Sequence, residues 1–205
     1  MSRSVARSHA FVIFVGLTVT MAACTGGSGN SAAPATSTTR GGAPSTNVMS
    51  DCPRFRGVTT PLRSIAAGQG GLLIDATAGA AGCLDEVTFT FQPLGDGTPP
   101  GYVVQYQDPS KEPFKDGNEP IFLPGDAFLV VKIAPALSNN PFVDGRPQTY
   151  LGNLTLLYGE HHHLQIVRKL ADAENTVMWV IGLDGVRPFV VDAAEYPTRI
   201  TVYIG

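Results

Sequence analysis

Three consecutive histidines, His161, His162 and His163, are the densest group of potential metal ligands in the chain. On an extended strand side chains alternate, so His161 and His163 share a face while His162 points with Leu164 and Ile166. Two histidines at i, i+2 stand about 6–7 Å apart, close enough to ligate one zinc ion. A complete site needs a third ligand and an open position. Glu160 points to the wrong side, and the only other histidine, His9, lies far away near the amino terminus. The zinc reading of His161 and His163 is therefore incomplete. An exposed polar strand start after the turn at Gly159 accounts for the triplet with fewer assumptions, and no cofactor is expected.

Other chemistries find less support. A hydrolase needs an activated nucleophile. There is no G-x-S-x-G elbow, and the mature domain offers no serine beside an obvious base. The acidic pair Asp85-Glu86 sits at a strand start and reads as solvated. Trp179, with Val177 and Ile181 at strand spacing, reads as core. Tyr102, Tyr106 and Tyr150 are the candidates for an exposed stacking surface that binds a ligand. Catalysis is not expected.

The elements that would position these residues are strands. Val87-Thr88-Phe89-Thr90-Phe91 alternates strictly, with Val87, Phe89 and Phe91 on one face. Tyr102, Val104 and Tyr106 repeat that period. Leu129, Val131 and Ile133 face opposite Lys132. Further short strands are expected over 72–77, 154–158, 161–170, 177–183, 189–192 and 199–204, although 164–174 also allows a short helix. Residues 93–101 and 138–149 are turn-rich, and 107–120 reads as a polar loop. Many short strands with Gly, Pro and Asn/Asp punctuation predict an all-β fold, a single β-sandwich domain over 51–205.

Ahead of that domain the composition changes twice. Residues 1–23 hold a basic head (Arg3, Arg7), a short apolar run from Ala10 to Val19, and small residues before Cys24. The run is too short for a spanning helix and reads as a secretory signal peptide. Its end, Met21-Ala22-Ala23-Cys24, resembles the lipobox of bacterial lipoproteins, with Met where Leu is usual. The resemblance implies cleavage before Cys24 and acylation of its thiol, which places the protein on the outer face of the cell membrane. Residues 24–50 are rich in Gly, Ser, Thr, Ala and Pro and read as a flexible tether. The twenty-five residues from Thr25 to Met49 have a random-coil span of about 25–30 Å and an extended limit of roughly 80–90 Å.

Export also bears on the two remaining cysteines, Cys52 and Cys83. An even pair in an exported chain reads as a disulfide. It would close a loop of about thirty residues, worth roughly 3–4 kcal/mol. Loss of the leader removes Arg3 and Arg7, moving the net charge from −3 to −5. So acidic a chain lacks the Lys/Arg density that nucleic acid requires. It also lacks a basic patch for anionic lipid, so attachment to the membrane would come from the acyl chains.

The carboxy-terminal strands carry a second resemblance. Gly101-Tyr102, Val104 and Tyr106, then Pro124-Gly125-Asp126-Ala127 and Ala134-Pro135-Ala136, form one half of it. Trp179-Val180-Ile181-Gly182-Leu183, Pro188-Phe189-Val190-Val191 and Pro197-Thr198-Arg199-Ile200-Thr201-Val202 form the other. Together they resemble the AMIN-like domain of actinobacterial lipoproteins and secreted proteins. It is related to the AMIN module found beside N-acetylmuramoyl-L-alanine amidases and secretins. The resemblance covers about 72–205 and implies a non-catalytic β-sandwich that binds peptidoglycan or an envelope protein. Ahead of the Val87 strand relatives often carry a His-Gly-aromatic-Asp-Arg run, of which only the Gly and Asp85 remain in 81–86. The alternatives are a lipid or small-molecule carrier whose sheets splay around an apolar ligand, and a metal-dependent enzyme centred on His161 and His163.

Overall fold

A computed structural model describes residues 55–66, 68–108, 113–116, 119–156 and 161–205. The expected leader over 1–23, Cys24, the tether over 24–50 and Cys52 all lie outside the described residues.

Period-two alternation produces the expected strands, and they sort into two sheets. The first has the order β1 (Leu62–Ser64), β4 (Gly101–Tyr106), β7 (Ala127–Ala134), β11 (Thr176–Leu183), β10 (Leu164–Ala173) and β9 (Thr155–Leu156). The second has the order β12 (Phe189–Glu195), β13 (Thr198–Ile204), β3 (Leu84–Pro93), β2 (Gly71–Ala81) and β8 (Ala136–Leu137). Neighbours pair antiparallel except β2 with β8, which is parallel. A small hairpin, β5 (Lys115–Asp116) with β6 (Glu119–Pro120), lies in the stretch expected to be loop. The described residues are all-β, as the alternation predicts.

The two sheets share one core because each presents its apolar face to the other. Val87, Phe89 and Phe91 of β3 meet Leu129, Val131 and Ile133 of β7, and Val177, Trp179 and Ile181 of β11. Trp179 is fully buried, with its ring centroid 5.4 Å from Phe89 and 5.7 Å from Tyr150. Aromatic rings at such spacing add roughly 0.5–1.5 kcal/mol beyond the area they bury. Trp179, Phe89 and Phe189 thus occupy the space between the sheets.

Two expectations are corrected. The stretch 164–174 is not helical: it is β10, paired with β11 from Leu164↔Leu183 to Ala173↔Thr176. Extra residues inserted at Gln165 and Leu170 interrupt its alternation, and so its sequence reads ambiguously. The histidine triplet is not strand either. β10 begins at Leu164, and 161–163 form the bend before it.

The two halves of the family-like pattern meet in space. Asp126 donates its backbone N–H to the Leu183 carbonyl at 2.7 Å, which docks the entry to β7 on the end of β11. Gly182 permits this approach, because the Pro124 carbonyl lies directly over its Cα. Gly125, at φ 133°, makes the turn between them.

Candidate functional site

Asp85 explains the bend at the histidines. Its side chain is wholly buried in β3, so the expectation of a solvated acidic pair is wrong for this residue. Oδ1 accepts the His162 N–H at 2.8 Å, and Oδ2 accepts the His163 and Leu164 N–H groups at 2.6 and 2.9 Å. A carboxylate so placed takes up three backbone donors that have no strand partner, and it bridges one sheet to the other. The His162 ring Nε2 reaches the Gly82 carbonyl at 2.9 Å, in the tight turn between β2 and β3. Cys83 follows in that turn, and Cys52, its expected disulfide partner, lies outside the described residues.

His161 and His163 do not converge. The His161 side chain is 6% exposed and its Nδ1 lies 3.9 Å from Asp85 Oδ1. His163 points instead to Asp184, with Nδ1 3.2 Å from Oδ2. No group of three or more His, Cys, Asp or Glu residues that could hold a metal occurs among the described residues. His162 and His163 hold the start of β10 through their backbone N–H groups, while the buried His161 ring has no hydrogen-bond partner among the described residues.

Asp184 also receives Arg187, whose Nε and Nη2 donate at 3.0 and 2.9 Å. These bonds, helped by His163, hold the Asp184 carboxyl below the usual aspartate value. A carboxyl lowered in the folded state stabilises the fold above its unfolded pKa, and that stability is lost as pH falls through the folded value. Asp184→Asn is therefore expected to lower the chemical-denaturation midpoint slightly at pH 7. The difference from the parent should vanish once the pH drops below the carboxylate range. The effect is small, because the pair is well exposed to solvent.

The three candidate tyrosines have different fates. Tyr150 is 5% exposed and stands edge-on to Trp179. Both Thr149 and Tyr150 donate their N–H groups to the Ser138 carbonyl, which turns the ring inward, and Tyr150 Oη donates to Asn153 O at 2.6 Å. It is a core residue, not a ligand platform. Tyr106 packs edge-on against Phe189, and its hydroxyl donates to Arg187 O at 2.6 Å while accepting the Arg187 N–H at 2.8 Å. Its hydroxyl is therefore committed within the protein. Tyr102 is half-buried against the core, and burial together with the Asp192 charge pushes its phenol pKa up.

Tyr102 does border a furrow of about 570 Å³. Ile65 and the chain leaving β1 form one side, Val103 and Lys132 belong to its floor, and Glu174 with Thr176 close the far side. This volume is in the range of small-ligand sites, and the lining is mostly apolar with a few polar groups. Glu174 and Asn175, at φ 52° and 59°, form the tight turn from β10 to β11, and Asn175 O accepts the Ala136 N–H at 2.8 Å. That bond fixes the far wall to the second sheet. Lys132 was noted in the sequence only as the polar side of a strand. Nothing there signalled a site, because its neighbours come from three other segments.

A family model described as the AMIN-like domain matches residues 71–205. No curated protein and no solved structure matches the chain.

Proposed function

Since the chain belongs to the AMIN-like domain family over residues 71–205, we propose that it is a non-catalytic cell-envelope lipoprotein that docks peptidoglycan or an envelope protein partner. The observation that carries this reading is the open furrow beside β4, β7 and the β10–β11 turn, set on a sandwich whose interior is already filled. A carrier would need that interior for its apolar cargo, and Trp179, Phe89 and Phe189 stand there instead. In this reading Cys24 carries the acyl chains, at about 0.8 kcal/mol per buried CH₂, and two chains hold stably where one does not. The tether over 24–50 gives the sandwich its reach into the layer outside the membrane. Cys52 is the partner of Cys83, so the disulfide ties the end of the tether to the β2–β3 turn.

The test is co-sedimentation of the purified full chain with purified cell wall. Retention well above that of an unrelated β-sandwich is the expected result, and retention no greater than the control overturns the docking reading. In the same preparation the intact mass should carry fatty acyl groups on Cys24. Cys24→Ser should then move the protein from the membrane fraction to the soluble one.

A further inference from the structure

The register of the first sheet brings together side chains that are far apart in sequence. Arg63 of β1 lies opposite Val103 of β4, Val103 opposite Lys132 of β7, and Lys132 opposite Met178 of β11. Residues paired in this way project from the same face of a sheet. In β7 that face is the outer one, since Leu129, Val131 and Ile133 point into the core and Lys132 is exposed. The outer face therefore carries a row running cation, apolar, cation, apolar across four strands. With strands about 4.8 Å apart, the Cα atoms of Arg63 and Lys132 stand roughly 10 Å from one another. Val103 and Lys132 lie in the furrow, and Glu174 stands on its far side.

Among the described residues these charges lack internal partners. Arg63, Lys132 and Glu174 form no ion pair among the described residues. Lys132 and Glu174 share one furrow without bridging it. In a chain of net charge −3, Arg63 and Lys132 share one face, with Glu174 across the furrow and Asp108 beside Lys132 in a neighbouring hollow. A ligand that matched this face would offer carboxylates to Arg63 and Lys132, an ammonium to Glu174, and methyl or methylene groups to Val103 and Met178. An aromatic platform for a sugar ring is not what the candidate tyrosines provide. Tyr102 is half-buried against the core, the Tyr106 hydroxyl is committed to Arg187, and Tyr150 is buried.

We infer that the Arg63–Val103–Lys132–Met178 row, with Glu174 at its rim, binds a short peptide bearing free carboxylates about 10 Å apart and a free amino group. That separation corresponds to roughly three residues of extended peptide. The inference rests on the docking reading above and deepens it, because it assigns recognition to the peptide part of a cell-wall polymer and not to its glycan. Recognition by exposed charges also makes the binding sensitive to salt.

The probe is a synthetic tetrapeptide, Ala-γ-D-Glu-Lys-D-Ala with free termini, titrated into the isotopically labelled full chain and followed by backbone NMR. Saturable shifts are expected at residues 63, 103, 132, 174 and 178, and they should weaken severalfold in 0.5 M salt. Lys132→Gln and Arg63→Gln should each weaken binding about tenfold, and Glu174→Gln should weaken it less. Unchanged melting curves would show that these exposed replacements leave the fold intact. Amidating the peptide's carboxylates should remove binding. Absence of saturable shifts, or binding indifferent to both cation variants, overturns the inference. So does equal retention of the chain by glycan strands stripped of peptide. Co-sedimentation with intact cell wall but no response to the tetrapeptide leaves the docking reading standing and defeats only this site. Failure of both experiments defeats both.

Discussion

Replacing Asp85 by alanine is expected to lower the melting temperature by about 8–16 °C, the largest effect of any substitution discussed. The carboxylate serves three backbone N–H donors at 2.6–2.9 Å, and its side chain has no exposed surface. Alanine leaves those donors facing a dry space without acceptors. Each orphaned donor costs roughly 1–3 kcal/mol, partly recovered if the bend opens to water. A net loss of about 4 kcal/mol follows, at about 2–4 °C per kcal/mol for a domain of this size. Asp85→Asn should recover part of it, since one oxygen still accepts while the new NH₂ group faces a donor. Thermal denaturation followed by far-UV circular dichroism measures both. An alanine variant that melts within 3 °C of the parent would show that the bond set contributes little.

Gly182→Ala is expected to cost about 3 kcal/mol, although glycine to alanine inside a strand is ordinarily favourable. The added methyl would meet the Pro124 carbonyl oxygen inside van der Waals contact, and the Ile166 Cγ2 at 2.8 Å. Backbone cannot swing aside as a side chain does, so the entry to β7 must lift away from β11. The Asp126–Leu183 hydrogen bond would stretch with it. Denaturant titration should show a lowered midpoint with an unchanged slope. Gly79→Ala is the control, because nothing lies within 4 Å of a methyl there.

Much of the sandwich was legible because period two survives wherever one face is buried. Val87, Phe89 and Phe91 alternated cleanly and all three are core. Trp179 at strand spacing read correctly as interior. The pattern failed where an extra residue shifts the phase, as at Gln165 and Leu170 in β10. Asp85 misread for another reason. Its partners, His162 to Leu164, lie 77 to 79 residues away, and local composition makes any Asp-Glu pair look solvated. Its persistence in an otherwise altered family-like run was the only hint. Tyr150 was misplaced likewise, since the Ser138 carbonyl and the Trp179 ring that turn it inward belong to distant segments. The cationic row was illegible by its nature: Arg63, Val103, Lys132 and Met178 become neighbours only once three strand registers are known.

The order of strands has a consequence for life at high local density. A sheet's outermost strand can template a neighbouring molecule, and long flat ones invite aggregation. Here the first sheet ends in β1 and β9, of three and two residues, and the second ends on one side in the two-residue β8. These stubs offer few backbone groups themselves, but among the described residues β8 pairs only with Gly71 and Leu72 of the eleven-residue β2, and β9 only with Val167 and Arg168 of the ten-residue β10. Of the four terminal strands β12 is the longest, at seven residues. One end of it is already occupied by Val58, which exchanges both backbone hydrogen bonds with Phe189 at 2.9 Å. Asp192 and Glu195 charge the remainder. Along β12, a neighbouring molecule would thus meet carboxylates and an occupied end in place of a free row of backbone groups.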